Sequence, residues 1–202
     1  QRDHEDPLRS LLSTRTCAHV APLDYPTQAI LASWLRELGI RCLTLAPHPS
    51  FLHPWRRDDV AAIVRGLDAF LVSERLALQF LRPATPPSAL QIAEHLAGLG
   101  CRYLVLTQGA RGLILWDGFA GRHWHVPAYP TTVRDPTGVG DAFAGGFLAG
   151  LAATRDPLDA ALMGAVSASL AIERTGALEM LTSLPGLARA RLSSLRALVK
   201  PV

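Results

Sequence analysis

The residues best placed to do chemistry lie in one run, Arg134-Asp135-Pro136-Thr137-Gly138-Val139-Gly140-Asp141-Ala142-Phe143-Ala144-Gly145-Gly146. A turn carrying Gly138 and Gly140 opens an apolar stretch, Ala142 to Ala153, that reads as a buried helix. The first N–H groups of a helix have no partner within it, and they stand at the positive end of its dipole. A glycine turn leaves them accessible, so the run offers a site for a phosphate or another oxyanion. Asp141 stands beside that site, where a carboxylate takes a proton from an attacking hydroxyl. Positioning, charge neutralisation and a base are most of what phosphoryl transfer asks of a protein.

The competing reading is steric: Gly138, Gly140, Gly145 and Gly146 permit a tight turn and close helix packing. A glycine inside a helix costs roughly 1 kcal/mol against alanine, so Gly145 and Gly146 need a reason to be there. A short Gly-x-Gly-Asp on its own leaves both readings open.

The elements that must position this run follow from periodicity and punctuation. Ala18 to Ala21 reads as a strand stopped by Pro22, and Asp24-Tyr25-Pro26 starts a helix that Gly39 ends. Ile30, Leu31, Trp34, Leu35 and Leu38 share a face of that helix at helical spacing. Strands follow at 41–45, 69–72 and 103–107, with helices at 58–66, from Ser73-Glu74 to Leu81, and from Thr85-Pro86-Pro87 to Gly100. Such alternation predicts βαβ units, hence a parallel sheet covered on both faces. Residues 112–116 and 122–126 then read as an antiparallel hairpin with its turn near Asp117-Gly118. Helices at about 157–173, with Gly176 as its C-cap, and about 187–199 complete an α/β fold. No linker divides the chain, so one domain over 1–202 is expected, with 1–15 irregular.

Composition narrows the function classes. With 49% hydrophobic and 18% charged residues the chain is globular. Its net charge of +3 comes from scattered arginines, only Arg56-Arg57 being adjacent, so no nucleic-acid surface is expected. No apolar run approaches a membrane span of roughly 20 residues, and no signal peptide opens the chain. Cys17, Cys42 and Cys101 sit in apolar segments, as core residues of a reduced, cytoplasmic protein do. His123 and His125 share a strand face but lack a third metal ligand at suitable spacing, and His48 and His53 lie among prolines. Trp34, Trp55, Trp116 and Trp124 read as core or hairpin contacts.

The string Asp-Pro-Thr-Gly-Val-Gly-Asp-Ala-Phe-Ala-Gly-Gly-Phe-Leu-Ala-Gly-Leu from Asp135 closely resembles the C-terminal signature of the PfkB (ribokinase-like) carbohydrate kinases. One departure is Val139, where that family usually has alanine. The order of elements resembles the family's C-terminal two-thirds from about Ala18 onward. The resemblance implies a ribokinase-like α/β fold whose N-terminal part, with its lid and most sugar contacts, has no counterpart in 1–202.

It also implies an ATP-dependent phosphotransferase acting on a hydroxyl of a sugar or nucleoside-like compound. Asp141 would be the base, and the N–H groups of Gly138, Val139 and Gly140 would stabilise charge on the phosphoryl group. Thr107-Gln108-Gly109-Ala110-Arg111-Gly112, otherwise an ordinary strand-turn corner, resembles the family's Thr-x-Gly-x-x-Gly along the nucleotide. Thr107, Gly109 and Gly112 thereby become nucleotide contacts, with Thr137 from the signature and Ser167 from a small-residue helix wall. Gly176-Ala177 matches a Gly-Ala that helps hold a monovalent cation such as K+, with Asp135 as the carboxylate ligand. Where the family commonly has Asn-x-x-Glu aligned with Mg2+, this chain has Ser73 and Leu76. Glu74 is either a partial replacement or a solvated carboxylate at a helix start. Those missing side chains also keep a second reading in view, a non-catalytic nucleotide- or sugar-binding member. A sheet starting partway through the family fold would expose an edge, so self-association into a homodimer is expected.

Overall fold

The computed structural model describes residues 12–13, 15–52, 57–176, 179–183 and 185–202. Most of the expected irregular opening, and His53, Trp55, Arg56 and Ala177, lie outside the described residues.

Four strands are parallel neighbours: β1 (Cys17–Val20), β2 (Cys42–Leu45), β3 (Ala69–Ser73) and β4 (Tyr103–Thr107). From β4 the sheet continues antiparallel through β5 (Leu113–Asp117), β6 (Arg122–Val126) and β7 (Lys200–Pro201). All seven lie in chain order within one sheet. Crossovers of one hand place their helices on one face, and the chain follows that rule. Helices α1 (Tyr25–Glu37), α2 (Arg57–Val64), α3 (Glu74–Leu81) and α4 (Ala89–Ala97) bury one core with Val20, Leu45, Phe70, Val72 and Leu104. Helices α5 (Val139–Thr154), α6 (Pro157–Ile172) and α7 (Pro185–Arg196) bury the other with Leu71, Tyr103, Val105 and Leu115. The period-two alternation is plain in β3, where Phe70 and Val72 face the first core and Ala69 and Leu71 the second.

Several boundaries differ from expectation for local reasons. In α1 the buried stripe is Gln28, Ala32 and Leu35, while Ile30 is 68% exposed. Gln28 is inside because its amide ties three backbone groups. It donates to the carbonyls of Ala21 (2.7 Å) and Ala46 (2.8 Å) and accepts from His48 N–H (3.1 Å). Helix α4 starts after Ser88, which forms a capping box with Gln91, and not at Thr85-Pro86-Pro87. The hairpin turn is longer than two residues, with Asp117 accepting from the N–H groups of Phe119 and Ala120. Glu173, not Gly176, is the C-cap of α6, and Gly176 turns the loop three residues on with φ of 102°. After α7 the chain adds the unexpected edge strand β7, where Pro201 is tolerated because an edge needs no donor on its outer side.

The three cysteines are free; Cys42 and Cys101 are buried, and burial pushes both thiols up to about 12. Among the described residues no helix is long and apolar enough to cross a membrane.

Candidate functional site

The start of α5 is built from its supports upward. The N–H groups of Arg134 and Asp135 both donate to the carbonyl of Ile172, at 2.8 and 3.2 Å, which pins the approach to α5 on the end of α6. Asp135 then accepts from Thr137 N–H at 2.9 Å. Gly138 takes the left-handed conformation (φ 74°) at the N-cap position, where a Cβ would cost strain, and its carbonyl accepts from Ala142 N–H at 2.8 Å. No side chain caps the helix. Val139 N–H donates to the Pro136 carbonyl at 3.3 Å, so it is not among the free amides as expected. The N–H groups of Gly138, Gly140 and Asp141 find no acceptor among the described residues.

The glycines of this helix divide cleanly. A Cβ on Gly138, Gly140 or Gly145 would meet nothing within 4 Å. On Gly146 it would lie 2.3 Å from Ser167 Oγ and 2.8 Å from the Met163 carbonyl. The packing reading therefore explains Gly146, while Gly140 and Gly145 border open space. The same contact places Ser167 in the α5–α6 seam, so the structure does not bring its side chain to the free amides.

Asp141 is exposed in the first turn of α5, and its carboxylate lies close enough to His19 on β1 to raise that imidazole's affinity for a proton. Burial of His19 outweighs this and holds its pKa below the ordinary histidine value. His19 Nδ1 bonds Thr44 Oγ1 at 2.8 Å, and its buried Nε2 has no partner among the described residues. Nothing in the sequence signals this histidine, which is 122 positions from Asp141.

Thr107 ends β4 directly beside Ser73, its ladder partner on β3. After it, Gly109 (φ 61°) borders open space, and Gly112 (φ 93°) is pressed against β6, where a Cβ would sit 2.1 Å from the Val126 carbonyl. Gly112 is thus fixed by packing. Ser73 Oγ accepts from Leu76 N–H as the cap of α3, and Leu76 is buried. Glu74 fits neither expectation. Its side chain is 17% exposed, accepts from Gln108 Nε2 at 3.1 Å and forms an ion pair with Arg111. Gln108 and Arg111 both belong to the turn after β4, and their pairing with an acid more than 30 positions away has no local signal.

Beside Asp135 lies a cavity of about 650 Å³ lined by Thr132, Arg134, Glu173, Arg174, Thr175 and Glu179. It does not include Asp141. Its wall is stiffened by Glu173, which accepts from Thr131 Oγ1 and from Arg191 Nη2 (2.7 Å). Buried Arg191 also donates to Ser169 Oγ (2.9 Å) and lies over the Tyr129 ring at 4.6 Å.

Three implied ligands can be tested against these groups. A phosphate fits the α5 start, which has free amides, no cap and no Cβ in the way. A monovalent cation fits Asp135. Thr137 N–H, at 2.9 Å, and then the Thr137 hydroxyl hold its carboxyl below the usual range, so its oxygens stay anionic. The start of α3 offers magnesium no uncompensated acid, because the Glu74 carboxylate is ion-paired with Arg111 and accepts from Gln108. Among the described residues no group of three or more His, Cys, Asp or Glu could hold a metal, and His125 Nε2–H instead donates to the Arg111 carbonyl at 2.8 Å.

The profile of the pfkB family carbohydrate kinases matches residues 33–184. The cytidine kinase of Thermococcus kodakarensis is 34% identical over 143 residues, covering 70% of this chain and 49% of that protein. Among solved structures, fructokinase from Vibrio cholerae, in its fructose, ADP and calcium ion bound form, superimposes with a TM-score of 0.68. It is 22% identical over 86% of this chain and 59% of that one. The nucleoside kinase of Methanocaldococcus jannaschii gives a TM-score of 0.66 at 20% identity, covering 87% and 55%. The chain thus spans about half the length of the cytidine kinase it matches.

Proposed function

The chain belongs to the PfkB family of carbohydrate kinases and has their ribokinase-like fold, and from that premise we propose that it forms the phosphoryl-transfer half of an ATP-dependent kinase. Its acceptor is a hydroxyl of a sugar or nucleoside-like compound, the two substrate classes named for the relatives above. The observation that carries this reading is the uncapped start of α5 with an exposed carboxylate in its first turn. Asp141 takes the acceptor hydroxyl's proton as the new O–P bond forms to the γ-phosphorus. The bond from that phosphorus to the bridging oxygen breaks, and ADP leaves. The N–H groups of Gly138, Gly140 and Asp141 hold the charge on the transferring group. Thr107 and Gly109 line the nucleotide, and Thr137 fixes the Asp135 carboxylate where a cation such as K+ would neutralise the phosphate side. Residues 1–202 act as one domain, and the outer edge of β1 is the surface for self-association.

Asp141→Asn in the complete protein is expected to keep ATP affinity while turnover on a panel of sugars and nucleosides falls about 10²- to 10⁴-fold. Full turnover in that variant would refute the mechanism. The closed position of Glu74 favours one second reading, a nucleotide-binding member without catalysis. ATP binding with no product across the panel would establish it.

A further inference from the structure

We infer that Arg111, held by Glu74 across the carboxyl ends of β3 and β4, is the fixed protein cation of the nucleotide's phosphate site. This rests on the nucleotide-binding reading above and adds the residue that neutralises phosphate.

The corner offers an ion no uncompensated carboxylate. Ser73 caps α3, Leu76 is buried, and Glu74 accepts from Gln108 and Arg111 with one oxygen each. Arg111 itself is open: its side chain is 65% exposed although its Nη2 is paired. The turn that carries it is held at several points. Gly112 N–H donates to the Gly109 carbonyl at 3.0 Å, and Gln108 N–H to the Gly112 carbonyl at 2.8 Å. His125 fixes the Arg111 carbonyl, and Gly112 is pressed on the exit of β6.

A free surface arginine must give up side-chain freedom to grip a ligand. One already held by a carboxylate loses less, and its remaining N–H groups still present the planar fork that suits phosphate oxygens. Its place outside the carboxyl end of a parallel strand is where open α/β sheets take ligands. Glu74 orients this guanidinium, and the arginine supplies the charge-assisted hydrogen bonds.

The test is calorimetric titration of the complete protein with ATP, ADP and adenosine, each with Mg2+ and with a chelator. Arg111→Ala is expected to weaken ATP and ADP about 10- to 100-fold, the worth of a charge-assisted hydrogen bond, and to leave adenosine unchanged. Glu74→Gln should weaken ATP by a smaller factor, and wild-type ATP binding should survive chelation. If Arg111→Ala does not fold, Arg111→Lys decides, with a partial, phosphate-specific loss expected. ATP affinity indifferent to both Arg111 variants, or abolished by the chelator, overturns this inference and leaves the kinase reading standing. A wild-type protein that binds no nucleotide overturns both.

Discussion

Helices α3 and α5 begin in opposite ways. At α3, Ser73 accepts from Leu76 N–H, and the first carboxylate, Glu74, is fully paired by Gln108 and Arg111. At α5 no side chain caps the helix, and among the described residues three N–H groups lack acceptors and the exposed first-turn carboxylate, Asp141, has no hydrogen-bond partner. Every helix has a positive end, so the dipole cannot distinguish them. What differs is whether the protein has already filled its own donors. A cap makes a helix start structural; its omission, with no Cβ in the opening, leaves that start for a ligand.

The neighbouring glycines of α5 sharpen this contrast most strongly. Gly146→Ala would push a Cβ into Ser167 Oγ and the Met163 carbonyl, and overpacking of that kind costs about 1–3 kcal/mol. Gly145→Ala meets nothing and should instead gain roughly 0.5–1 kcal/mol of helix propensity. Urea unfolding of the two variants checks both signs. Equal stability changes would show that the division between open and packed glycines is wrong.

At α3 the expected effect is smaller. Ser73→Ala removes the cap and should cost about 1 kcal/mol, with ATP affinity unchanged, because that hydroxyl already serves the helix. A large loss of nucleotide binding at undiminished stability would mean that α3 is also a ligand end, and the contrast would fail.

These positions also show what a sequence can and cannot convey. The order of the elements and the run from Arg134 to Gly146 were legible, because period-two and period-3.6 patterns and a glycine turn are local signals. The burial of Gln28 and exposure of Ile30 were not, since a polar residue goes inside only when particular carbonyls await it. The same holds for Arg191, buried through Glu173, Ser169 and Tyr129, and for Glu74 with Arg111. Each depends on who satisfies a polar group across the fold, and hydrophobic periodicity carries no record of that pairing. Even within the motif, the sequence implied three free amides, Gly138, Val139 and Gly140. The turn geometry exchanges Val139 for Asp141.

The smallest effect links the open end to the sheet beneath it. His19 faces Thr44 through Nδ1 and feels the Asp141 carboxylate, while its Nε2 is buried with no partner among the described residues. Burial lowers its folded pKa, and Asp141 opposes that shift without reversing it. Between this lowered value and the unfolded value of about 6.5, the unfolded chain binds more protons, so stability rises with pH across that window. Acidification from pH 7.5 to 5.5 should therefore lower the Tm, and His19→Gln should narrow the difference. Asp135, whose folded pKa is also lowered, contributes stability that is lost only at more acid pH, so the two are separable. Asp141→Asn removes the opposing charge, lowers the His19 pKa further and should widen the same Tm difference. If neither substitution moves it, Asp141 and His19 are not coupled, and the open end of α5 is electrostatically independent of β1.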